Sequence, residues 1–213
     1  MIMPSPLVIA IDGPAASGKG TLARRLAVHY GLHYLDTGKL YRAVAFWLLQ
    51  SGQESVLEAI QVAKTLASDA LDNPLLSSEA VGKKASTVAA IPEVRDALCD
   101  FQKKFATQLP GAVLDGRDIG SVICPQAKVK LFITASLEIR AERRFKELQK
   151  REFTAIYKDV LTDLAERDQR DSSRAVSPLV IPEGAVYIDT TTLDEAAAFH
   201  AALDSVESIL NRK

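Results

Sequence analysis

One stretch of the sequence has the residue types and spacing of a phosphate-binding loop. Gly13-Pro14-Ala15-Ala16-Ser17-Gly18-Lys19-Gly20-Thr21 lies between the apolar run 7–11 and a helical pattern, the context that gives a Gly-x-x-x-x-Gly-Lys motif its meaning. The glycines let backbone N–H groups curl around phosphate oxygens, because a Cβ atom would block that approach. The start of the following helix adds unpaired N–H groups, and Lys19 adds a mobile positive charge. We therefore expect residues 13–21 to bind phosphate groups.

The position after Lys19 departs from the common form of this motif. A Ser or Thr usually follows the lysine and binds Mg²⁺. Here Gly20 follows, and the hydroxyl comes one residue later at Thr21. Phosphate contact is therefore better supported than a direct metal ligand. A glycine-rich turn that binds nothing is the alternative.

Further polar clusters fall where the predicted fold would place a site. They are Asp36-Thr37-Gly38-x-x-Tyr41-Arg42, Asp115-Gly116-Arg117-Asp118, Ser86 with Arg95, and the group Arg167, Arg170, Asp171 and Arg174. Taken singly, each is explained equally well without a ligand. Arg117–Asp118 would be a solvated turn pair, Arg95 an exposed helix charge, and residues 167–174 salt bridges at a helix end. Taken together, they predict a second phosphate-bearing ligand that faces the loop.

The histidines do not suggest a general base or a metal site. His29 and His33 are separated by the helix-ending Gly31, and His200 lies in the last predicted helix. A phosphate monoester is already largely ionised near neutral pH, so phosphoryl transfer to it needs positioning and charge neutralisation. Several arginines, one lysine and no candidate base are typical of that reaction.

Short apolar strands alternate with helices along the chain, which predicts an α/β fold. The strands lack polar residues at alternate positions, so we expect a doubly wound, five-stranded parallel sheet covered on both faces. Its site would lie at the carboxyl ends of the strands. The predicted strands are 7–11, 32–36, 112–115, 129–134 and 186–189; the predicted helices are 21–28, 40–49, 54–70, 78–88, 92–105, 136–150, 154–170 and 193–210.

Composition excludes several classes of function. The 213 residues contain 26 Lys and Arg against 27 Asp and Glu, so no overall basic field favours a nucleic acid polymer or a membrane surface. Cys99 and Cys124 form neither a disulfide framework nor a zinc motif. We find no signal peptide and no membrane-spanning run, and we expect a cytoplasmic monomer.

The four motifs together resemble bacterial cytidylate kinases over almost the whole chain. They are Gly-x-x-x-x-Gly-Lys-Gly-Thr, Asp-Thr-Gly-x-x-Tyr-Arg, Asp-Gly-Arg-Asp and Glu-Arg-Asp-x-Arg-Asp-x-x-Arg-Ala-Val-x-Pro-Leu. The resemblance implies a fold of the P-loop NTPase type and transfer of the γ-phosphoryl group of ATP to CMP or dCMP, with Mg²⁺. It also implies one domain with a core (1–52, 111–151 and 176–213), a monophosphate-binding helical insert (53–110) and a short lid (152–175).

The resemblance also implies roles for individual residues. Residues 13–21 would hold ATP, and Asp36 and Thr21 would meet Mg²⁺ only through water. Catalytic roles would fall to Lys19, Arg117, Arg170 and Arg174. The acceptor nucleotide would be bound by Thr37, Tyr41, Arg42, Ser86, Arg95, Arg117, Asp118, Arg167, Asp171 and Arg174. Many bacterial members carry a small antiparallel sheet in the insert, and we predict that it is missing here, because the segment between Gly52 and Ser86 is short and has a helical pattern.

Two other functions remain open from the sequence. A UMP or mixed pyrimidine nucleoside monophosphate kinase would use the same types of residue. A GTP-binding molecular switch would need a guanine-binding Asn-Lys-x-Asp motif, which the sequence lacks, and would have little use for the arginines around Arg174.

Overall fold

The apolar runs form a single parallel sheet in the part of the chain that the structure describes. The computed structural model describes residues 5–53, 55–150 and 154–211. The strands are β1 (Leu7–Asp12), β2 (His33–Asp36), β3 (Gly111–Gly116), β4 (Val129–Thr134) and β5 (Val186–Asp189). Their order is β2-β3-β1-β4-β5, and every pair is parallel. The predicted doubly wound sheet is confirmed.

Helices cover both faces of the sheet. They are α1 (Lys19–Tyr30), α2 (Thr37–Ser51), α3 (Val56–Thr65), α4 (Glu79–Val88), α5 (Pro92–Ala106), α6 (Leu137–Lys150), α7 (Tyr157–Ser173) and α8 (Glu195–Leu210). Two 3₁₀ turns, Ser68–Asp72 and Pro74–Ser77, lie between α3 and α4, and a π-helical turn, Ile119–Ile123, follows β3.

Alternate residues of the central strands pack into different cores. Ile9 and Ile11 of β1 belong to the core shared with α1 and α8, whereas Ala10 faces the core built with α2, α4 and α5. All three are fully buried. Full burial of such an isoleucine side chain is worth about 1.5–3 kcal/mol, so the two cores fix which face of the sheet each residue of β1 points to.

The helix predicted over 54–70 is shorter in the structure. It ends at Thr65, because Leu66 has an extended backbone (φ −63°, ψ 121°) and the chain continues into the two 3₁₀ turns. Residue 54, the predicted start of this helix, lies outside the described residues. So do residues 152 and 153, the predicted start of the lid. The described residues between 53 and 110 contain helices and 3₁₀ turns but no strand.

Two further helices differ from the predictions in ways that bear on the site. Helix α2 begins at Thr37, directly after β2, rather than at residue 40. Helix α7 begins at Tyr157 and continues to Ser173, so Arg167, Arg170 and Asp171 lie on the helix itself and Arg174 is the residue that follows it. None of the helices in the described residues is both long and apolar enough to cross a membrane.

Candidate active site

The glycine-rich loop has the backbone that phosphate binding requires. A Cβ atom on Gly13 would lie 1.9 Å from the carbonyl oxygen of Ile133 on β4, and Gly18 caps α1 in the left-handed region (φ 87°). Only glycine fits both positions without strain. Ser17 is fully buried, and its Oγ has no hydrogen-bond partner among the described residues. A buried hydroxyl and a free helix start together make a site for an anion.

Lys19 lies buried at the start of α1, close to the loop that precedes it. Its Nζ donates a long hydrogen bond of 3.4 Å to the carbonyl oxygen of Pro14. Burial and the neighbouring Arg117 lower the pKa of Lys19 to about 8, while Asp115 and Asp36 oppose this shift. The negative charge of a phosphate group here would favour the charged ammonium form.

A buried carboxylate explains the glycine after Lys19. The Tyr34 hydroxyl donates to Asp115 Oδ2 at 3.1 Å, and a Cβ atom on Gly20 would lie only 3.0 Å from that same oxygen. Burial and the nearby Asp36 raise the pKa of Asp115 to about 7. The Asp115 side chain thus takes the space next to the position where the common motif has its hydroxyl. Among the described residues, no three His, Cys, Asp or Glu side chains cluster closely enough to hold a metal ion by themselves.

A cavity of about 200 Å³ joins this loop to the ends of β2 and β3, and we name it the acceptor cavity. The predicted site residues that line it are Ala15, Ala16, Lys19, Gly20, Asp36, Thr37, Tyr41, Arg42, Ser86, Arg95, Arg117, Asp118, Arg167, Asp171 and Arg174. Side chains that are far apart in the sequence therefore surround one space.

Arg95 and Asp118 form a buried ion pair in the acceptor cavity. The Arg95 Nη2 group donates to Asp118 Oδ2, and Arg95 Nη1 donates to the carbonyl oxygen of Ala89 at 3.1 Å. Both residues are 5% exposed. The exposed helix charge and the solvated turn pair, which were the ordinary explanations for these residues, are therefore wrong.

Asp171 of α7 is surrounded by guanidinium groups. Arg117 Nε donates to Asp171 Oδ2 at 2.9 Å, Arg167 Nε lies 3.9 Å from that oxygen, and Arg174 Nη1 lies 4.0 Å from Oδ1. Burial alone would raise the pKa of Asp171, but Arg117 and Arg167 hold it below its ordinary value. The Arg117–Asp171 pair crosses from the end of β3 to α7, so salt bridges along the helix end do not account for this cluster.

Arg42 reaches the acceptor cavity past α4. Its Nη1 donates to the carbonyl oxygen of Leu76 at 2.7 Å, and a Cβ atom on Gly82 would come within 3.1 Å of its Nη2. Burial and the nearby Arg144 lower the pKa of Arg42.

Several buried donors around the acceptor cavity remain without a hydrogen bond. Among the described residues, these include Nε of Arg95, Nε of Arg167 and Nη2 of Arg174. An unpaired buried donor is costly, at about 1–3 kcal/mol each. These groups are therefore suited to a ligand that supplies acceptor oxygens.

Arg170 lies apart from the other predicted arginines. It lines a neighbouring cavity of about 170 Å³ between α4, α6 and α7, and its Nη1 donates to Ser86 Oγ at 2.5 Å. Arg42 and Arg167 line both cavities. The catalytic role predicted for Arg170 stays a prediction.

A third cavity of about 560 Å³ adjoins the glycine-rich loop on its other side. Ser17, Gly18 and Thr21 line it together with Arg143 and Thr190. Arg143 donates to the Thr190 hydroxyl at 2.9 Å and to the Thr190 carbonyl at 2.7 Å. These two residues are not among the predicted site residues, although Thr190 directly follows β5 and Arg143 lies two turns into the helix after β4.

Comparison with known proteins gives the family of the chain. The family model described as Cytidylate kinase matches residues 9–208. The chain belongs to the cytidylate kinase family. It is 54% identical over 205 residues to the cytidylate kinase of Rhodopseudomonas palustris (strain ATCC BAA-98 / CGA009), covering 95% of this chain and 97% of that one. It is 56% identical over 203 residues to the cytidylate kinase of Xanthobacter autotrophicus (strain ATCC BAA-1158 / Py2), with 95% and 98% covered.

The fold of this cytidylate kinase family member is also found in a solved small-molecule kinase. A gluconokinase from Sinorhizobium meliloti 1021 superposes with a TM-score of 0.53 at 14% identity, covering 97% of this chain and 95% of the other. At that identity the likeness concerns the fold alone.

Proposed function

We propose that this kinase transfers the γ-phosphoryl group of ATP to CMP, giving ADP and CDP, and that it accepts dCMP as well. The observation that carries the proposal is the acceptor cavity, which is lined by Lys19, by the buried Arg95–Asp118 pair and by further arginines. The family of the chain and the names of its relatives support CMP as the acceptor.

The Arg95–Asp118 pair has the chemistry to select cytosine. An ionised carboxylate accepts a hydrogen bond from the cytosine N4 amino group but repels the O4 acceptor of uracil. Arg95 and Ser86 carry donors that suit N3 and O2 of cytosine. Nothing in the comparisons favours the UMP alternative.

The acceptor phosphate would lie among Thr37, Arg42 and Arg117. Guanidinium groups bind phosphate oxygens in a bidentate manner, and the Arg117 side chain now pairs with Asp171 on α7. Arg167 and Arg174 would then bring α7 to the ribose and phosphates. On this interpretation α7 belongs to a lid, and α3 to α5 belong to the monophosphate-binding insert.

Phosphoryl transfer here would depend on position and charge rather than on a general base. The acceptor phosphate is already anionic, so no residue needs to remove a proton. Lys19 and the buried amides of the glycine-rich loop would stabilise charge on the β- and γ-phosphates. Arg117 and Arg174 would stabilise charge on the transferring group, because fixed donors in a site that excludes water lower the barrier most.

Mg²⁺ would be held mainly by the phosphates of ATP. The carboxylates of Asp36 and Asp115, which both influence the pKa of Lys19, and the hydroxyl of Thr21 are suited to bind its water ligands. The ion would neutralise phosphate charge. ATP would occupy the cavity lined by Thr21 and Arg143. A cytoplasmic location and a monomeric state stay predictions from the sequence.

A coupled ADP-release assay with CMP, dCMP, UMP, AMP and GMP tests the proposal. We expect turnover with CMP and dCMP, much lower turnover with the other three, and loss of activity in Lys19→Met. Comparable kcat/KM for CMP and UMP would refute the specificity, and activity unaffected by Lys19→Met would refute the site.

A further inference from the structure

Asp12, the last residue of β1, makes two contacts that the proposed reaction leaves unexplained. Its side chain is fully buried, and its two carboxylate oxygens accept hydrogen bonds from the backbone N–H groups of Ile119 and Gly120, both at 2.7 Å. These two residues follow directly on Asp118. Asp12 therefore joins the base of the glycine-rich loop to the segment that carries the proposed cytosine-selecting carboxylate.

The two N–H groups belong to the start of a helical turn. Ile119–Ile123 forms the π-helical turn, and the carbonyl oxygen of Asp118 accepts from Val122 N at 2.9 Å and from Ile123 N at 3.1 Å. The first N–H groups of any helical turn lack partners within the turn. An aspartate at the position before the turn usually accepts from them with its own side chain.

Asp118 occupies that cap position but makes no side-chain cap hydrogen bond. Its carboxylate instead faces Arg95 and lies 4.0 Å from Nη2 of Arg174. The N–H groups that it would ordinarily satisfy are taken by Asp12. One aspartate thus caps the turn from a neighbouring strand, and the other is directed into the acceptor cavity.

We propose that Asp12 is a positioning residue for substrate selection: by capping the turn after β3 it keeps the Asp118 carboxylate directed at Arg95 and the cytosine ring. This inference rests on the proposed role of Asp118. Without Asp12, the unpaired N–H groups would draw the Asp118 side chain back onto its own turn and away from the base.

The strand register and a glycine in the turn allow this close contact of Asp12. Asp12 pairs in register with Gly116 of β3, which brings the end of β1 beside the start of the turn. A Cβ atom on Gly120 would lie 3.3 Å from Asp12 Oδ2 and 3.0 Å from Cγ of Pro182. A glycine at position 120 therefore permits the close approach of the carboxylate to the backbone.

Asp12→Asn tests the proposal, because the amide keeps the shape but has only one acceptor oxygen and places N–H hydrogens against a backbone N–H group. We expect the ratio of kcat/KM for CMP to that for UMP to fall about tenfold or more, which is the size of effect expected when one buried polar group loses its hydrogen-bond partner. The KM for ATP should change less than about twofold. The control is Ser55→Ala, which removes the cap of α3 (Glu58 N–H donates to Ser55 Oγ, 3.2 Å) and should lower the melting temperature without changing the ratio.

Asp118→Asn, measured in parallel, separates this inference from the proposed function. If Asp118→Asn loses the CMP preference and folded Asp12→Asn keeps it, the role of Asp12 is overturned and the base assignment stands. If both variants keep the preference, both are overturned. If Asp12→Asn does not fold, Gly120→Ala perturbs the same contact from the other side, and an unchanged ratio in that variant would equally overturn the role of Asp12.

Discussion

Replacing Asp118 by asparagine tests the proposed role of this residue in distinguishing cytosine from uracil. The change keeps the size of the side chain and removes its charge. The carboxylate can only accept hydrogen bonds, whereas the asparagine amide can also donate. Asp118→Asn should therefore tolerate both the N4 amino group of cytosine and the O4 oxygen of uracil.

The size of the effect follows from the burial of the pair. Arg95 and Asp118 are each 5% exposed, so a mismatched base cannot be compensated by water. A buried polar group left unpaired costs about 1–3 kcal/mol. At about 1.4 kcal/mol per factor of ten, losing one such mismatch should reduce the preference for CMP over UMP by about 5- to 150-fold.

The same change also affects stability, and the assay must account for this. Removing one partner of a buried ion pair costs about 3–5 kcal/mol, and the asparagine, which can still accept from Arg95, should lose less. We expect a lower melting temperature, so the kinetics with CMP and UMP should be measured well below it. The KM for ATP should stay nearly constant, because Asp118 does not line the cavity beside Thr21.

Asp168→Asn is the matched control for this experiment. Asp168 accepts from Arg140 at 2.6 Å, so the control also neutralises one partner of an arginine–aspartate pair, but this pair does not line the acceptor cavity. The reasoning is refuted if Asp118→Asn lowers kcat/KM equally for CMP and UMP. That result would mean that Asp118 only stabilises the structure through its pair with Arg95.

The remaining predictions concern the phosphates, α7 and pH. Lys19→Met should lower kcat by about 10²–10³-fold and weaken ATP binding less, since fixed charges matter most in the transition state; equal losses in calorimetry and kinetics would contradict this. Amide hydrogen exchange in Tyr157–Ser173 should slow when CMP and a non-hydrolysable ATP analogue are both bound, and unchanged exchange would remove the assignment of α7 to a lid. The pKa of Asp115 is raised to about 7, so between about pH 4 and 7 the folded protein binds a proton at Asp115 that the unfolded chain has lost. The free energy of unfolding should therefore fall as the pH rises through this range, by at most about 1.4 kcal/mol per pH unit. Urea unfolding of the wild type and Asp115→Asn over this range should show the wild type losing stability relative to the variant, and a constant difference would contradict the assignment.

Much of the fold could be predicted because its determinants are local. The strands are mainly apolar, and each strand end carries a polar or glycine-rich motif. Parallel pairing then brings those motifs to one edge, since the ends of β1, β2 and β3 are neighbours in the sheet. The glycine-rich loop, Thr37 and Arg117 were therefore predictable members of one site.

Contacts that depend on the relative placement of helices could not be predicted. Arg167, Arg170 and Asp171 are close together in the sequence, but the direction of α7 decides that Asp171 meets Arg117 while Arg170 meets Ser86. The role of Asp12 was also hidden, because an aspartate at the end of a strand gives no sign of which distant N–H groups it will satisfy.

The charges around the acceptor cavity explain why it contains both arginines and carboxylates. Among the described residues it is lined by six basic side chains, namely Lys19, Arg42, Arg95, Arg117, Arg167 and Arg174, and by four carboxylates, namely Asp36, Asp115, Asp118 and Asp171. Six cations around one cavity would repel one another strongly without the carboxylates, and burial together with Arg117 already lowers the pKa of Lys19 to about 8. With every group ionised the cavity carries about two positive charges, which matches the −1.5 to −2 of one phosphate monoester. Under the proposed function, the carboxylates stabilise the unliganded protein and also leave an excess charge that a single nucleotide phosphate would neutralise.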